Sequence, residues 1–147
     1  NRIFAEELDW SSDSWLVNAS LAGTPQFKPT AFLYALDFGN AAANSSTTYG
    51  LRVTGAAPAG GVKLAYAATY AHQTDNANNP ADFSLDYWQV ELAGTSGIVT
   101  VKGAYESLEG NGARGFATPL ATLHAFQGWA DVFLTTPAAG LRDRGVV

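Results

Sequence analysis

The sequence contains no cysteine, few charged residues and no long apolar run. Without cysteine there is no disulfide framework, no thiolate metal site and no cysteine nucleophile. Only 14% of the 147 residues are charged, and 8 basic against 13 acidic side chains give a net charge of −5. A chain with so little positive charge lacks the basic surface by which proteins bind nucleic acids, so no nucleic-acid partner is expected. No apolar run approaches the roughly 18 residues of a transmembrane helix, although membrane-spanning strands are shorter and alternate.

The sequence does have enough apolar material for one folded domain. Hydrophobic residues make up 47% of the chain, which is far from the composition of a disordered protein. The length suits a single domain over residues 1–147. The chain begins at Asn1 without a Met or an apolar signal segment and ends at Val147, where a new apolar run begins. We therefore interpret it as a mature chain or as a fragment of a longer protein.

Six segments alternate between apolar residues and polar or small residues with a period of two. They are Ser14–Ala22, Thr30–Phe38, Thr48–Gly55, Val62–His72, Tyr87–Leu92 and Ile98–Glu106. Because successive side chains of a strand point to opposite faces, this period predicts strands that each have one apolar face. In chain order, the apolar faces carry Trp15, Val17, Ala19 and Leu21; Phe32, Tyr34, Leu36 and Phe38; Tyr49, Leu51 and Val53; Val62, Leu64, Tyr66, Ala68 and Tyr70; Trp88, Val90 and Leu92; and Val99, Val101 and Tyr105.

The connections between these segments alternate in length. The short ones are Gly23–Phe27, Ala56–Gly61 and Ala93–Gly97, and the long ones are Gly39–Thr47, Gln73–Asp86 and the chain after Leu108. This rhythm is typical of consecutive antiparallel strands whose short turns lie at one end of the sheet, as in outer-membrane barrels. The sequence therefore predicts an all-β fold, an antiparallel up-and-down meander or β-barrel of six or more strands.

The last third of the chain has a different pattern. Thr118 and Pro119 are typical of the start of a helix. After them come apolar residues at intervals of three or four, namely Leu120, Leu123, Phe126, Trp129 and Phe133. This spacing predicts a long C-terminal loop or a short amphipathic helix.

No motif for covalent chemistry is present. The two histidines, His72 and His124, belong to no H-E-x-x-H pair, and no G-x-S-x-G elbow accompanies them, so we assign no catalytic residue and no metal site. We expect His124 to pack within its loop. A weaker alternative is calcium bound by the acidic residues Glu6, Glu7, Asp9 and Asp13 or by the loop Asp75–Asp82.

Alternation alone leaves the surroundings of the sheet open. Apolar faces can point into a dry core or out into lipid. A membrane sheet must also close, and single-chain membrane barrels start at eight strands. Six strands are therefore part of a longer barrel, or share a barrel with further copies in a homo-oligomer, or do not lie in a membrane.

Several stretches resemble alginate-export-like outer-membrane porins of Gram-negative bacteria. These stretches are Asn1–Phe4, Trp15–Leu21, Tyr34–Phe38, Ser46–Arg52 and Gly115–Asp143, of which Thr118–Asp131 is the most specific. The resemblance covers most of this chain but only the middle of the family's length. It implies a place in the bacterial outer membrane, where the chain is part of a longer barrel.

The resemblance also implies roles for individual residues. The apolar faces would meet outer-membrane lipid, with Trp15, Tyr49, Tyr70, Trp88 and Tyr105 in the interfacial aromatic girdle. The opposite faces would line a lumen for small anionic or carbohydrate solutes, with Arg52, Lys63, Glu91, Lys102 and Glu106 projecting into it. In the late segment, His124, Trp129 and Asp131 would pack a loop or contact the solute. On an ordinary sheet, the same charges would simply form a solvated face.

A soluble protein is the alternative. An antiparallel barrel or sandwich that binds a small apolar ligand would place Leu64, Tyr66, Val90 and Val101 in its interior. Such a protein could also be a weak hydrolase with His124 as its base. No cofactor is expected in either case.

Overall fold

The computed structural model describes residues 11–118 and 135–146. In this part of the chain the predicted all-β antiparallel meander is confirmed. Seven strands follow one another: β1 (Ser12–Ser20), β2 (Lys28–Phe38), β3 (Ser46–Ala59), β4 (Val62–Asp75), β5 (Ser84–Ser96), β6 (Val99–Leu108) and β7 (Leu141–Val146). A single 3-10 turn, Ala42–Asn44, lies between β2 and β3. None of the described residues forms a helix that is long and apolar enough to cross a bilayer.

Each strand pairs antiparallel with the next one along the chain, in the order β1 to β7. The register therefore forms rows of side chains across the sheet, and all members of a row share one face. One such row joins Arg52, Thr69, Gln89, Glu106 and Asp143. Within residues 11–118 and 135–146, β1 and β7 are each paired on one side only, so the sheet is open along two edges.

Glycine turns close one end of the sheet. The loops between β3 and β4 and between β5 and β6 are two residues long, and their first residues, Gly60 and Gly97, have φ of +63° and +57°. A positive φ at the first loop position and not at the second is the type II′ pattern, which matches the twist of a hairpin and favours glycine. The opposite end of the sheet, which we call the long-loop end, carries residues 39–45, 76–83, 109–118 and 135–140. The expected rhythm fails in the first pair, because residues 21–27 form a connection as long as residues 39–45.

Strands β2 to β6 are longer than the alternating segments predicted, β1 has the predicted length but begins two residues earlier, and none of the six alternating segments corresponds to β7. Pro58 extends β3 because the hairpin register continues to the Gly60 turn, and Asp75 extends β4 because the same register continues to Ser46 at the other end. The segment Leu141–Val146 contains three charged residues and no clear apolar alternation. It becomes a strand by pairing with the free edge of β6, from Gly103 to Leu108.

The two faces of the sheet differ sharply. The outer face carries large apolar side chains that are exposed to solvent. Trp15 is 71% exposed, Val101 is 55% exposed and Leu64 is 38% exposed. Its further members are Val17, Leu33, Tyr49, Leu51, Tyr66, Trp88, Val90, Leu92, Val99 and Tyr105. The inner face carries the row that contains Arg52. The interior position that the soluble alternative gave to Leu64, Tyr66, Val90 and Val101 is therefore wrong for the described chain.

Strand β2 departs from the predicted orientation. Its apolar set Phe32, Tyr34, Leu36 and Phe38 lies on the inner face, and Leu36 and Phe38 are only 4% and 2% exposed. Loops of the long-loop end cover this part of the strand. The Asn76 side chain donates to the backbone oxygen of Leu36 at 3.2 Å, and the Phe38 N–H donates to the hydroxyl of Ser45 at 2.9 Å. An outward apolar face in every strand was thus a wrong expectation for β2.

A small core lies at the long-loop end of the inner face. It joins Ala71, Leu85 and Leu108 of the sheet with Phe83 and Phe116 of two loops. The Arg114 guanidinium lies over the Phe83 ring, 3.8 Å from its centroid. Burial lowers the pKa of Arg114, and the nearby Asp75 carboxylate opposes that shift. Apolar packing therefore fastens the loops to one end of the inner face and leaves its middle open.

Candidate functional site

The middle of the inner face borders a cavity of about 480 Å³. Residues from six strands line it, from Leu16 and Asn18 of β1 to Glu106 and Leu108 of β6. β1 and β6 are separated by four other strands in the sheet, so they can border the same cavity only if the sheet curls toward its inner face. Gly50 gives the Phe32 ring its place there, because a β-carbon at residue 50 would overlap that ring.

Arg52 is the central cation of this cavity. Its Nη1 donates to Thr69 Oγ1 at 2.9 Å and to Gln89 Oε1 at 3.0 Å. The register places these three residues side by side on β3, β4 and β5. A guanidinium carries five N–H groups on a rigid plane, so these bonds fix its position while it borders the cavity. The arrangement can bind an anion or a hydroxyl-rich solute.

Acidic groups lie on the neighbouring strands. The Tyr87 hydroxyl donates to Glu106 Oε1 at 2.7 Å. Lys102 Nζ forms an ion pair with Glu91 Oε1 at 3.0 Å, and Gln89 Nε2 donates to that same oxygen at 3.5 Å. Charges of both signs thus alternate along the inner face from β3 to β6.

The structure therefore brings Arg52, Glu91, Lys102 and Glu106 together on one face. Lys63 shares this face but lies beside Thr95 near the Gly60 turn, roughly 20 Å along β4 from Thr69 at about 3.3 Å per residue. The remaining predicted site residues, His124, Trp129 and Asp131, lie outside the described residues, as does the predicted helical segment beyond Thr118.

A buried glutamine fastens a loop across the rim of the cavity. Gln73 is 1% exposed. Its Nε2 donates to Thr48 Oγ1 and to the Ala117 carbonyl, both at 2.8 Å, and its Oε1 accepts the Ala117 N–H at 2.9 Å. The paired amide bonds hold the chain at Phe116 and Ala117 against the inner face, where it narrows the long-loop end of the cavity.

Sequence reasoning missed Thr69, Gln73, Tyr87 and Gln89 as parts of this site. It singled out charged residues, whereas these groups are neutral. A usable signal was present, because Gln89 lies two residues before Glu91 and so shares its face. Only the register between strands shows that Arg52 and Thr69 lie in the same row as Gln89.

A metal site is a different matter. Within residues 11–118 and 135–146, no three histidine or acidic side chains come together as ligands for a metal ion. Three of the acidic residues considered for calcium, Glu6, Glu7 and Asp9, lie outside these ranges.

Comparison with protein-family models, with curated proteins and with solved structures finds no match to this chain.

Proposed function

We propose that this chain forms part of the wall of a porin-like outer-membrane β-barrel that passes or binds small anionic or sugar-like solutes. The observation that carries the proposal is the contrast between the faces of β1 to β6. Exposed apolar side chains fill the outer face, whereas the inner face carries polar and charged side chains on β3 to β6 next to the apolar side chains of β2 and of the small core. This is the reverse of a soluble barrel, whose apolar residues point inward.

Water is a poor solvent for such an outer face. Each Val, Leu or aromatic side chain left in water forgoes about 1.5–3 kcal/mol of burial free energy. Soluble monomers rarely expose continuous apolar patches beyond a few hundred Å². Lipid solvates the same surface well, and membrane barrels alternate apolar-out with polar-in.

Strand length and aromatic placement support the same proposal. β3 and β4 have 14 residues each, more than the roughly 9–11 residues that a tilted strand needs to span a bilayer. At about 3.3 Å per residue, each strand is roughly 45 Å long. Trp15, Tyr49, Tyr70 and Trp88 lie on the outer face toward the long-loop end, whereas Tyr105 lies beside Val90, nearer the middle of the sheet. Aromatic rings prefer the membrane interface, and long loops of such barrels face outward from the cell.

The apolar band stops at β7. That strand places Arg142 and Arg144 on the outer face, beside Ser107 and Tyr105 of β6. The proposal therefore concerns β1 to β6. Because unpaired backbone groups cannot be left in lipid, the open edges need strands from a longer chain or from further copies, in a homo-oligomer.

Planar-bilayer conductance tests the proposal. Arg52 in a lumen with low-dielectric walls attracts anions, so we expect an anion preference in a KCl gradient. Arg52→Gln should move the reversal potential toward that of a cation-selective pore. Arg144→Gln makes the same change on the outer face and should leave the potential unchanged. A chain that is monodisperse and monomeric without detergent and gives no conductance would contradict the proposal.

A further inference from the structure

A serine, a histidine and an aspartate come together on the outer face at the long-loop end. His72 Nδ1 lies 2.7 Å from Asp86 Oδ1, and His72 Nε2 lies 3.2 Å from Ser84 Oγ. The Tyr70 hydroxyl donates to Asp86 Oδ1 at 2.9 Å. We propose that Ser84, His72 and Asp86 form a nucleophilic centre that hydrolyses acyl esters.

The hydrogen bonds define the protonation pattern that such a centre needs. An ionised carboxylate only accepts, so Nδ1 of a neutral His72 must donate to Asp86. Nε2 is then unprotonated and accepts the hydrogen bond that the Ser84 hydroxyl donates. Histidine with a carboxylate on one nitrogen and a serine hydroxyl on the other is the arrangement that activates serine in acyl transfer.

The fold explains the positions of the three residues. His72 and Asp86 are directly paired across β4 and β5. Ser84 precedes Asp86 by two residues and therefore shares its face. Ser84 is exposed while His72 is partly buried, so the nucleophile is accessible and its base is held in place. The ring of Tyr49 packs on the other side of His72, with 5.4 Å between centroids.

The reaction balances with water as the only co-reactant. Ser84 Oγ attacks the ester carbonyl carbon while its proton passes to His72 Nε2. The tetrahedral intermediate collapses, the carbon–oxygen bond to the leaving alcohol breaks, and that alcohol takes the proton from His72. Water, deprotonated by His72, then cleaves the acyl-serine and releases a carboxylic acid, and His72 returns the proton to Ser84.

The surroundings indicate the substrate class. The adjacent row of the outer face carries Leu51, Tyr70 and Trp88, and the Tyr70 and Trp88 rings pack at 4.4 Å between centroids. This apolar surface suits a long acyl chain. The inference of a lipid substrate rests on the proposed function, because that function places the centre at the outer membrane interface. The inference of a nucleophilic centre rests on the three residues alone.

The test uses the full chain in detergent micelles. A fluorophosphonate probe with mass-spectrometric site mapping reports on the nucleophile. Release of p-nitrophenol from p-nitrophenyl butyrate and release of fatty acid from phosphatidylethanolamine in mixed micelles report on turnover. The variants are Ser84→Ala, His72→Ala and, as a matched control, Ser107→Ala, whose serine lies on the same face in β6. Conductance of the Ser84→Ala protein is measured in parallel.

We expect the probe on Ser84 and a loss of turnover of more than about 10³-fold in Ser84→Ala and in His72→Ala. Ser107→Ala should retain full turnover, and conductance should be independent of Ser84. Hydrolysis of the butyrate ester without release of fatty acid would overturn the lipid substrate and keep the centre. An unlabelled Ser84 in the native protein, with turnover equal to that of Ser84→Ala, would overturn the centre itself. Neither result depends on the outcome of the conductance experiment.

Discussion

Arginine at position 90 distinguishes a lipid-facing from a water-facing outer face. Val90 lies near the middle of β5, on the outer face, and is 52% exposed. In water, an exposed position of this kind tolerates substitution to within about 0.5 kcal/mol. At the midplane of a bilayer, arginine on the lipid face of a barrel costs about 2–4 kcal/mol. The two environments therefore predict clearly different losses for Val90→Arg.

The loss in lipid is large enough to measure by equilibrium unfolding. Since 1.4 kcal/mol is a factor of ten, 2–4 kcal/mol changes the folded-to-unfolded ratio by roughly 30- to 1,000-fold. With a slope of about 2 kcal/mol per molar urea, the midpoint falls by roughly 1–2 M. The assay is urea unfolding of the full chain in lipid vesicles, followed by the fluorescence of its four tryptophans.

Ile98→Arg provides the matched control. Ile98 lies in the two-residue turn between β5 and β6 and is fully exposed. Near the membrane surface the cost of arginine falls to about 0–1 kcal/mol. If Val90→Arg and Ile98→Arg change the free energy of unfolding equally, within about 0.5 kcal/mol, the outer face does not lie in lipid.

Two further substitutions test the inner face. Gly50→Ala should destabilise the protein by about 1–3 kcal/mol, because the new methyl group overlaps the Phe32 ring and the β4 backbone. Gly61→Ala provides the control in the same unfolding experiment, because nothing lies within 4 Å of a β-carbon at that position. Gln73→Ala should cost about 1–3 kcal/mol, since it leaves the backbone groups of Ala117 without their side-chain partner. Limited proteolysis of the Gln73→Ala protein should then cleave near Ala117 faster than in the native chain. An unchanged rate would show that the glutamine does not hold this segment.

The inner-face site could be predicted only in part from the sequence. The charges Arg52, Glu91, Lys102 and Glu106 were correctly grouped on one face, because alternation along each strand is local. Their partners were not predicted, since Gln89 reaches Arg52 across two strand boundaries. Likewise, His72 and Ser84 are 12 residues apart in sequence, and no short motif marks the pair.

The sequence by itself determined an all-β antiparallel chain and the composition of the two faces in most strands, because side-chain direction depends only on the period of two. Tertiary structure alone decided the register, the seventh strand and the inward turn of Phe32 and Leu36 in β2. The physical reason is that a period of two says which residues share a face but not which residues lie opposite one another. Pairing between strands and the loops that cover them set those neighbours, and the neighbours define both the Arg52 cavity and the Ser84 centre.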